Sequence, residues 1–343
     1  MASENSNPLI PNGPVVSPRT AGHARQRAEA RPSRRRLLRY GLVGAAVVLA
    51  AGVGGFELVN RGVLPGKTML DDLDGACAVP TADLTSYAAA GPERSGTFYS
   101  AARRQSVGYT IAYPPGHRPG ARLPLVVMLH GYGGNHTDAL SGMSPAQALA
   151  LRVSGTPLSP MAMVTADGGT GYWNPHPGDN PQAMLTDELI PMCQRLGLGV
   201  SGNHAAAHGI GVMGISMGGY GALLLAEKRP DLIRAVAAIS PAVWTSYAQA
   251  RAANAGAYAS AADFAADDAV THAARLARVK VRVASGFADP FHPGVQALAR
   301  ALPEDPGGEP AAVTFAHGCH DNSFFTAQVP PSLAFLARQL TVG

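Results

Sequence analysis

The chain has 343 residues, 46% of them hydrophobic and 15% charged, with a formal net charge of +4. That balance excludes a disordered chain, and three cysteines exclude a disulfide-stapled mini-scaffold. The positive surplus sits in residues 1–39, where eight arginines against Glu4 and Glu29 give +6; residues 40–343 therefore carry −2, which argues against nucleic acid as a partner.

Residues 1–39 are rich in Pro, Ser and Arg, show no apolar period, and read as a basic disordered leader. Ser33-Arg34-Arg35-Arg36-Leu37-Leu38-Arg39 resembles a twin-arginine export signal, with Leu37 and Arg39 at positions often held by Phe and Lys. Tyr40 to Phe56 carries no charge, so residues 40–58 are expected to be a hydrophobic export signal or a membrane anchor. No A-x-A cleavage site follows, and about 20 apolar residues suffice to cross a bilayer. Removal and retention both stay open. The expectation is an exported protein of the cell envelope or extracellular space, with the twin-arginine machinery as a partner. A lipoprotein is not expected, because Asp74-Gly75-Ala76-Cys77 lacks an apolar residue three before the cysteine.

Residues 59–95 read as an approach segment, and residues 96–343 as one domain of about 250 residues, enough for a single buried core. Residues 106–113 alternate as an antiparallel strand near a sheet edge. Residues 124–129 form a continuous apolar run, as expected of a strand covered on both faces, and end in His130-Gly131-Tyr132-Gly133-Gly134. A further strand over 161–166 leads to the loop with Tyr172-Trp173-Asn174. A helix then opens with Asn180 as N-cap and Pro181 in its first turn. Asp187-Glu188 on that helix reads as a solvated pair.

Val212 and Met213 lie in an apolar strand that runs into Gly214-Ile215-Ser216-Met217-Gly218, after which residues 222–228 read as a helix. A serine at such a strand-to-helix turn has strained backbone and a presented hydroxyl, with a helix N-terminus beneath it. The glycines answer the close approach of strand and helix. A strand over 235–240 precedes an alanine-rich, mostly helical insertion over 242–275, read as a cap over an acyl pocket; Trp244 in it reads as core. A strand over 279–285 runs into Gly286-Phe287-Ala288-Asp289, and a shorter one over 312–315 into His317-Gly318-Cys319-His320-Asp321. Loops beyond the carboxyl ends of parallel strands are where α/β sheets place their sites. Strands alternating with helices make the class α/β, a mostly parallel central sheet with helices on both faces.

The order Ser216, Asp289, His320 is that of a nucleophile, its orienting acid and its base. His317 and His292 read as partly exposed loop imidazoles, and Asp321 and Asp267 as lesser substitutes for the acid. Backbone N–H groups of Tyr132 and Met217 are the expected oxyanion donors, with His130 as a brace for its loop. Trp173 and Tyr220 are candidates to line the substrate pocket. No H-E-x-x-H or C-x-x-C spacing suggests a metal, and no cofactor is expected.

The segments Leu129–Gly134, Gly214–Ala222, Gly286–Asp289 and Gly318–Asp321 resemble the esterase D family of α/β-hydrolases, which includes S-formylglutathione hydrolases, feruloyl esterases and antigen 85 mycolyltransferases. The resemblance spans roughly residues 96–343. It implies the α/β-hydrolase fold, nucleophile Ser216, acid Asp289, base His320, oxyanion donors Tyr132 and Met217, and a small-molecule or lipid ester substrate. His130 and Gly219-Tyr220 depart from many mycolyltransferases, so hydrolysis is expected ahead of acyl transfer to envelope sugars or lipids. A non-catalytic binding protein of this fold is the third alternative. Of Cys77, Cys193 and Cys319, one pair is plausible as a disulfide in an exported chain; Cys319 would pin the loop of His320 if paired, Cys77 being the partner of most interest.

Overall fold

The computed structural model describes residues 75–79, 88–199, 209–304 and 307–341, all within one compact unit, Val59–Gly343. The basic leader and the apolar stretch 40–58 lie outside the described residues. Among those described, no helix is long and apolar enough to cross a membrane.

Eight strands form one sheet: β1 (Glu93–Ser100), β2 (Gln105–Ala112), β3 (Leu125–Leu129), β4 (Ala162–Ala166), β5 (Ile210–Ile215), β6 (Ala235–Ile239), β7 (Lys280–Gly286) and β8 (Ala312–Ala316). Their spatial order is β1-β2-β4-β3-β5-β6-β7-β8. β2 runs antiparallel to β1 and β4, and every other pairing is parallel. This is the α/β-hydrolase fold.

Helices cover both faces: α1 (Pro145–Leu149), α2 over 181–195 with a π-helical middle at Met184–Leu189, α3 (Met217–Lys228), α4 (Tyr247–Ala253), α5 (Ala261–Ala266), α6 (His292–Ala301) and α7 (Asn322–Thr341). The unbroken apolar run of β3 follows from this sandwich. Leu125, Val127 and Leu129 join the core under α2, α3 and α6, while Val126 and Met128 join the core under α1 and α7. All five are fully buried, at about 1.5–3 kcal/mol each.

α2 opens as expected, with Asn180 Oδ1 accepting the N–H of Ala183 at 2.9 Å. Three readings change. β1 begins inside the segment assigned to the approach, because its polar, mostly exposed residues pair along the whole of β2. Glu188 is more than a solvated residue, since its Oε1 accepts the N–H of Ala102 at 3.0 Å. The insertion 242–275 is less helical than its alanines suggest. α4 and α5 are short, each started by a serine (Ser246, Ser260), with Asn254 and Gly256 turning the chain between them.

Candidate active site

Ser216 stands between β5 and α3 with φ +56° and ψ −118°, a conformation a non-glycine residue holds only when its surroundings impose it. The surroundings are close backbones. A Cβ on Gly214 would lie 2.1 Å from Gly218 O, and one on Gly218 would lie 2.0 Å from Leu129 O. The N–H of Ser216 donates to Ile239 O at 2.9 Å, and its own carbonyl accepts from Ala242 N–H at 3.0 Å. The turn is thus held from β6 as well.

The loops after β7 and β8 bring two further side chains to this hydroxyl. Ser216 Oγ lies 2.8 Å from His320 Nε2, and His320 Nδ1 lies 2.9 Å from Asp289 Oδ2. The Asp289 side chain is fully buried, and its Oδ1 accepts the N–H of Phe291 at 2.8 Å. A carboxylate only accepts, so Nδ1 donates to it, leaving Nε2 to accept from the serine hydroxyl. In that order a proton can pass from Oγ to imidazole while the carboxylate stabilises the resulting charge. The imidazole packs against Phe291 and Phe325, both at 5.0 Å between ring centres.

The loop after β3 abuts the same turn. A Cβ on Gly131 would come within 3.8 Å of Ser216 Cβ, and Gly134 N–H closes the turn onto Gly131 O at 3.1 Å. The Tyr132 side chain is 63% exposed, so its expected contribution is from the backbone alone. Met217 opens α3, whose first N–H groups have no partner within the helix.

His130 is a brace, as read from the sequence. Its Nδ1 donates to Gly131 O at 2.7 Å and its Nε2 accepts Gly168 N–H at 2.8 Å, joining the loops after β3 and β4. Burial pushes its pKa down, which keeps it in the neutral form this pairing requires.

Two pocket candidates are corrected. Trp173 is 0% exposed, packs on the His130 ring, and donates Nε1–H to His130 O at 3.2 Å. Tyr220 is buried too, its hydroxyl donating to Asp267 O at 2.7 Å with Asn174 Oδ1 3.3 Å from the same oxygen. Neither offers a face to a substrate, because each is committed to holding the loop 167–179 and the insertion onto the core. The remaining substitutes also have other roles. His317 is exposed, His292 packs against Phe287 and Phe315, Asp267 pairs with Lys228 at 2.7 Å, and Asp321 caps α7.

Cys77 and Cys319 form a disulfide, and Cys193 is a buried free thiol whose pKa burial pushes up to about 12. Among the described residues, Cys77, Cys319 and Asp321 bring potential ligand atoms within 4.8 Å of one another, but the sulfurs are bonded to each other and offer no thiolate to a metal.

The family described as "Putative esterase" matches residues 100–302, more than half of the chain. The chain belongs to this esterase family. Solved structures with similar folds include a ferulic acid esterase (18% identity, 73% of this chain and 99% of that one, TM-score 0.61). An S-formylglutathione hydrolase from Agrobacterium tumefaciens aligns with 18% identity over 74% of this chain and 98% of that one, TM-score 0.55. MPT51 of Mycobacterium tuberculosis aligns with 16% identity over 73% and 100%, TM-score 0.55. At these identities the likeness establishes the α/β-hydrolase fold. No curated protein matches the sequence.

Proposed function

We propose that the chain is a serine carboxylic-ester hydrolase. Ser216 is its nucleophile, His320 its base, Asp289 the acid that orients the base, and the backbone N–H groups of Tyr132 and Met217 stabilise the oxyanion. The observation that carries the reading is the continuous hydrogen-bonded run Ser216 Oγ–His320–Asp289, set on a strained strand-to-helix turn. His320 takes the hydroxyl proton as Oγ attacks the ester carbonyl. The tetrahedral intermediate collapses with release of the alcohol, protonated by His320, and leaves an acyl-serine. Water, deprotonated by the same imidazole, then releases the acid. The substrate is a small-molecule or lipid ester.

A fluorophosphonate probe tests this directly. Labelling of the full chain that disappears in Ser216→Ala supports it, and an unlabelled native chain overturns it. Supplying a radiolabelled ester with glycerol or trehalose separates hydrolysis from transfer: labelled acid marks a hydrolase, labelled glycerol or sugar ester an acyltransferase.

The location we propose is outside the cytoplasm, reached through the twin-arginine route, with residues 40–58 as signal or anchor. The disulfide supports it, since such bonds persist mainly in oxidising compartments. Replacing Arg34 and Arg35 with lysine should keep the chain in the cytoplasmic fraction; unchanged export would remove the twin-arginine reading.

A further inference from the structure

The disulfide joins residues 242 positions apart, and Cys319 is the immediate neighbour of His320. The bond is one part of a local assembly of three short segments. Gly318 N–H donates to Ala76 O at 3.1 Å, and Gly318 O accepts Ala288 N–H at 3.1 Å. Phe287 N–H also donates to Ala316 O at 2.8 Å. The loop that carries His320 therefore lies between the segment Gly75–Val79 on one side and the loop that carries Asp289 on the other.

The middle segment has little room. Gly318 has φ +145°, and a Cβ there would lie 2.3 Å from Phe324 Cδ2, while Gly286 could not bear one because Gly318 O would be 2.1 Å away. The loop is anchored downstream by Asp321, whose carboxylate accepts Phe324 N–H at 2.9 Å. Between Gly318 and Asp321 the bond through Cys319 adds a covalent tie next to His320.

We infer that Cys77 and Cys319 are positioning residues for His320: the disulfide holds the base loop at its distance from Ser216, and its reduction uncouples the imidazole while the sheet stays folded. This deepens the proposed esterase reading and rests on it for its kinetic part. Reduction by a dithiol transfers two electrons and two protons to the bond, giving two thiols and a cyclic disulfide of the reductant. The free loop then regains the rotations that the bond had removed. Proton transfer requires Oγ and Nε2 in hydrogen-bond contact, and a misplacement of ~1 Å can cost ~100-fold in rate. Binding contacts elsewhere are untouched, so the loss falls on kcat and not on KM. Cys77 is partly exposed, which gives a reductant access.

The test uses the full oxidised chain and dithiothreitol at a temperature well below unfolding. Complete reduction is verified by thiol titration in denaturant rising from the one free cysteine to all three. Expected are a fall in kcat of about 10- to 100-fold, KM for a p-nitrophenyl ester within about twofold, a matching fall in the fluorophosphonate labelling rate, and recovery on reoxidation. Amide exchange should rise over 286–289 and 316–320 and stay unchanged in β5. Cys77→Ser should reproduce the reduced state, and Cys193→Ser should leave activity intact. A kcat within about twofold of native after full reduction, or exchange that rises through the whole sheet together, overturns the inference. If the oxidised chain neither labels nor hydrolyses esters, the esterase reading fails separately, and exchange alone decides: unchanged protection over 316–320 then rejects the clamp, and a local rise upholds it.

Discussion

Nδ1 of His320 lies 2.9 Å from Oδ2 of Asp289, and the other oxygen of that carboxylate is occupied by the N–H of Phe291. The second contact decides what an amide would do there. In Asp289→Asn the amide oxygen stays with Phe291, so the NH₂ group faces His320 and makes Nδ1 an acceptor. The imidazole proton then moves to Nε2, where it opposes the Ser216 hydroxyl. Expected is a fall in kcat on the order of 10⁴-fold with KM and the unfolding midpoint nearly unchanged. A loss smaller than ~10-fold would remove Asp289 from the proposed triad.

Tyr220→Phe separates a core role from a pocket role. Its buried hydroxyl donates to Asp267 O, so its removal leaves that carbonyl without this donor. Urea unfolding should register a loss of about 1–3 kcal/mol. KM across an ester panel should hold; a change confined to KM with stability intact would return Tyr220 to the pocket.

Gly218→Ala tests the packing beneath the nucleophile. The added Cβ would sit 2.0 Å from the carbonyl oxygen of Leu129, a backbone atom that cannot rotate away. Separation of α3 from β3 must follow, with a cost above about 3 kcal/mol and loss of serine labelling. Soluble protein with native unfolding behaviour and full labelling would contradict the close approach seen at this turn.

Glu227 predicts a pH dependence of stability. Its carboxyl is buried on α3, neither oxygen has a hydrogen-bond partner among the described residues, and burial pushes its pKa from 4.5 up to about 8. Asp267 and Asp268 add to the rise, and Arg275 and Lys228 oppose it. Between those two values the folded chain holds a proton that the unfolded chain has released. Its contribution to stability is therefore present below about pH 4.5, declines as pH rises through that window, and levels off above about pH 8. Glu227→Gln should flatten this slope and stabilise the chain at pH 9 by a few kcal/mol relative to the native protein. Parallel stability curves for the two proteins from pH 5 to pH 9 would refute it.

The parts of the site legible in the sequence were those set by local chain geometry. A glycine-flanked serine between an apolar strand and a helix, and an acid and a histidine each just past a strand end, are patterns of a few residues. The misassigned residues depend on contacts distant along the chain. Nothing near Trp173 says that its indole N–H will meet the carbonyl of His130, 43 residues earlier, nor that Tyr220 will reach 47 residues forward to Asp267. β1 escaped for another reason: Glu93, Arg94 and Ser95 are exposed, and hydrogen bonding to β2 holds them without any apolar alternation to betray a strand. Alanine content overstated the helices of the insertion, because propensity is a weak prior against Asn254 and Gly256.

The placement of Cys319 beyond Ala316, the last residue of β8, has a consequence for biosynthesis. A ribosome making this polypeptide has already delivered every member of the sheet before the second sulfur exists. Cross-linking to Cys77 is therefore a late event, a covalent signature that only a chain read through beyond the last strand can bear.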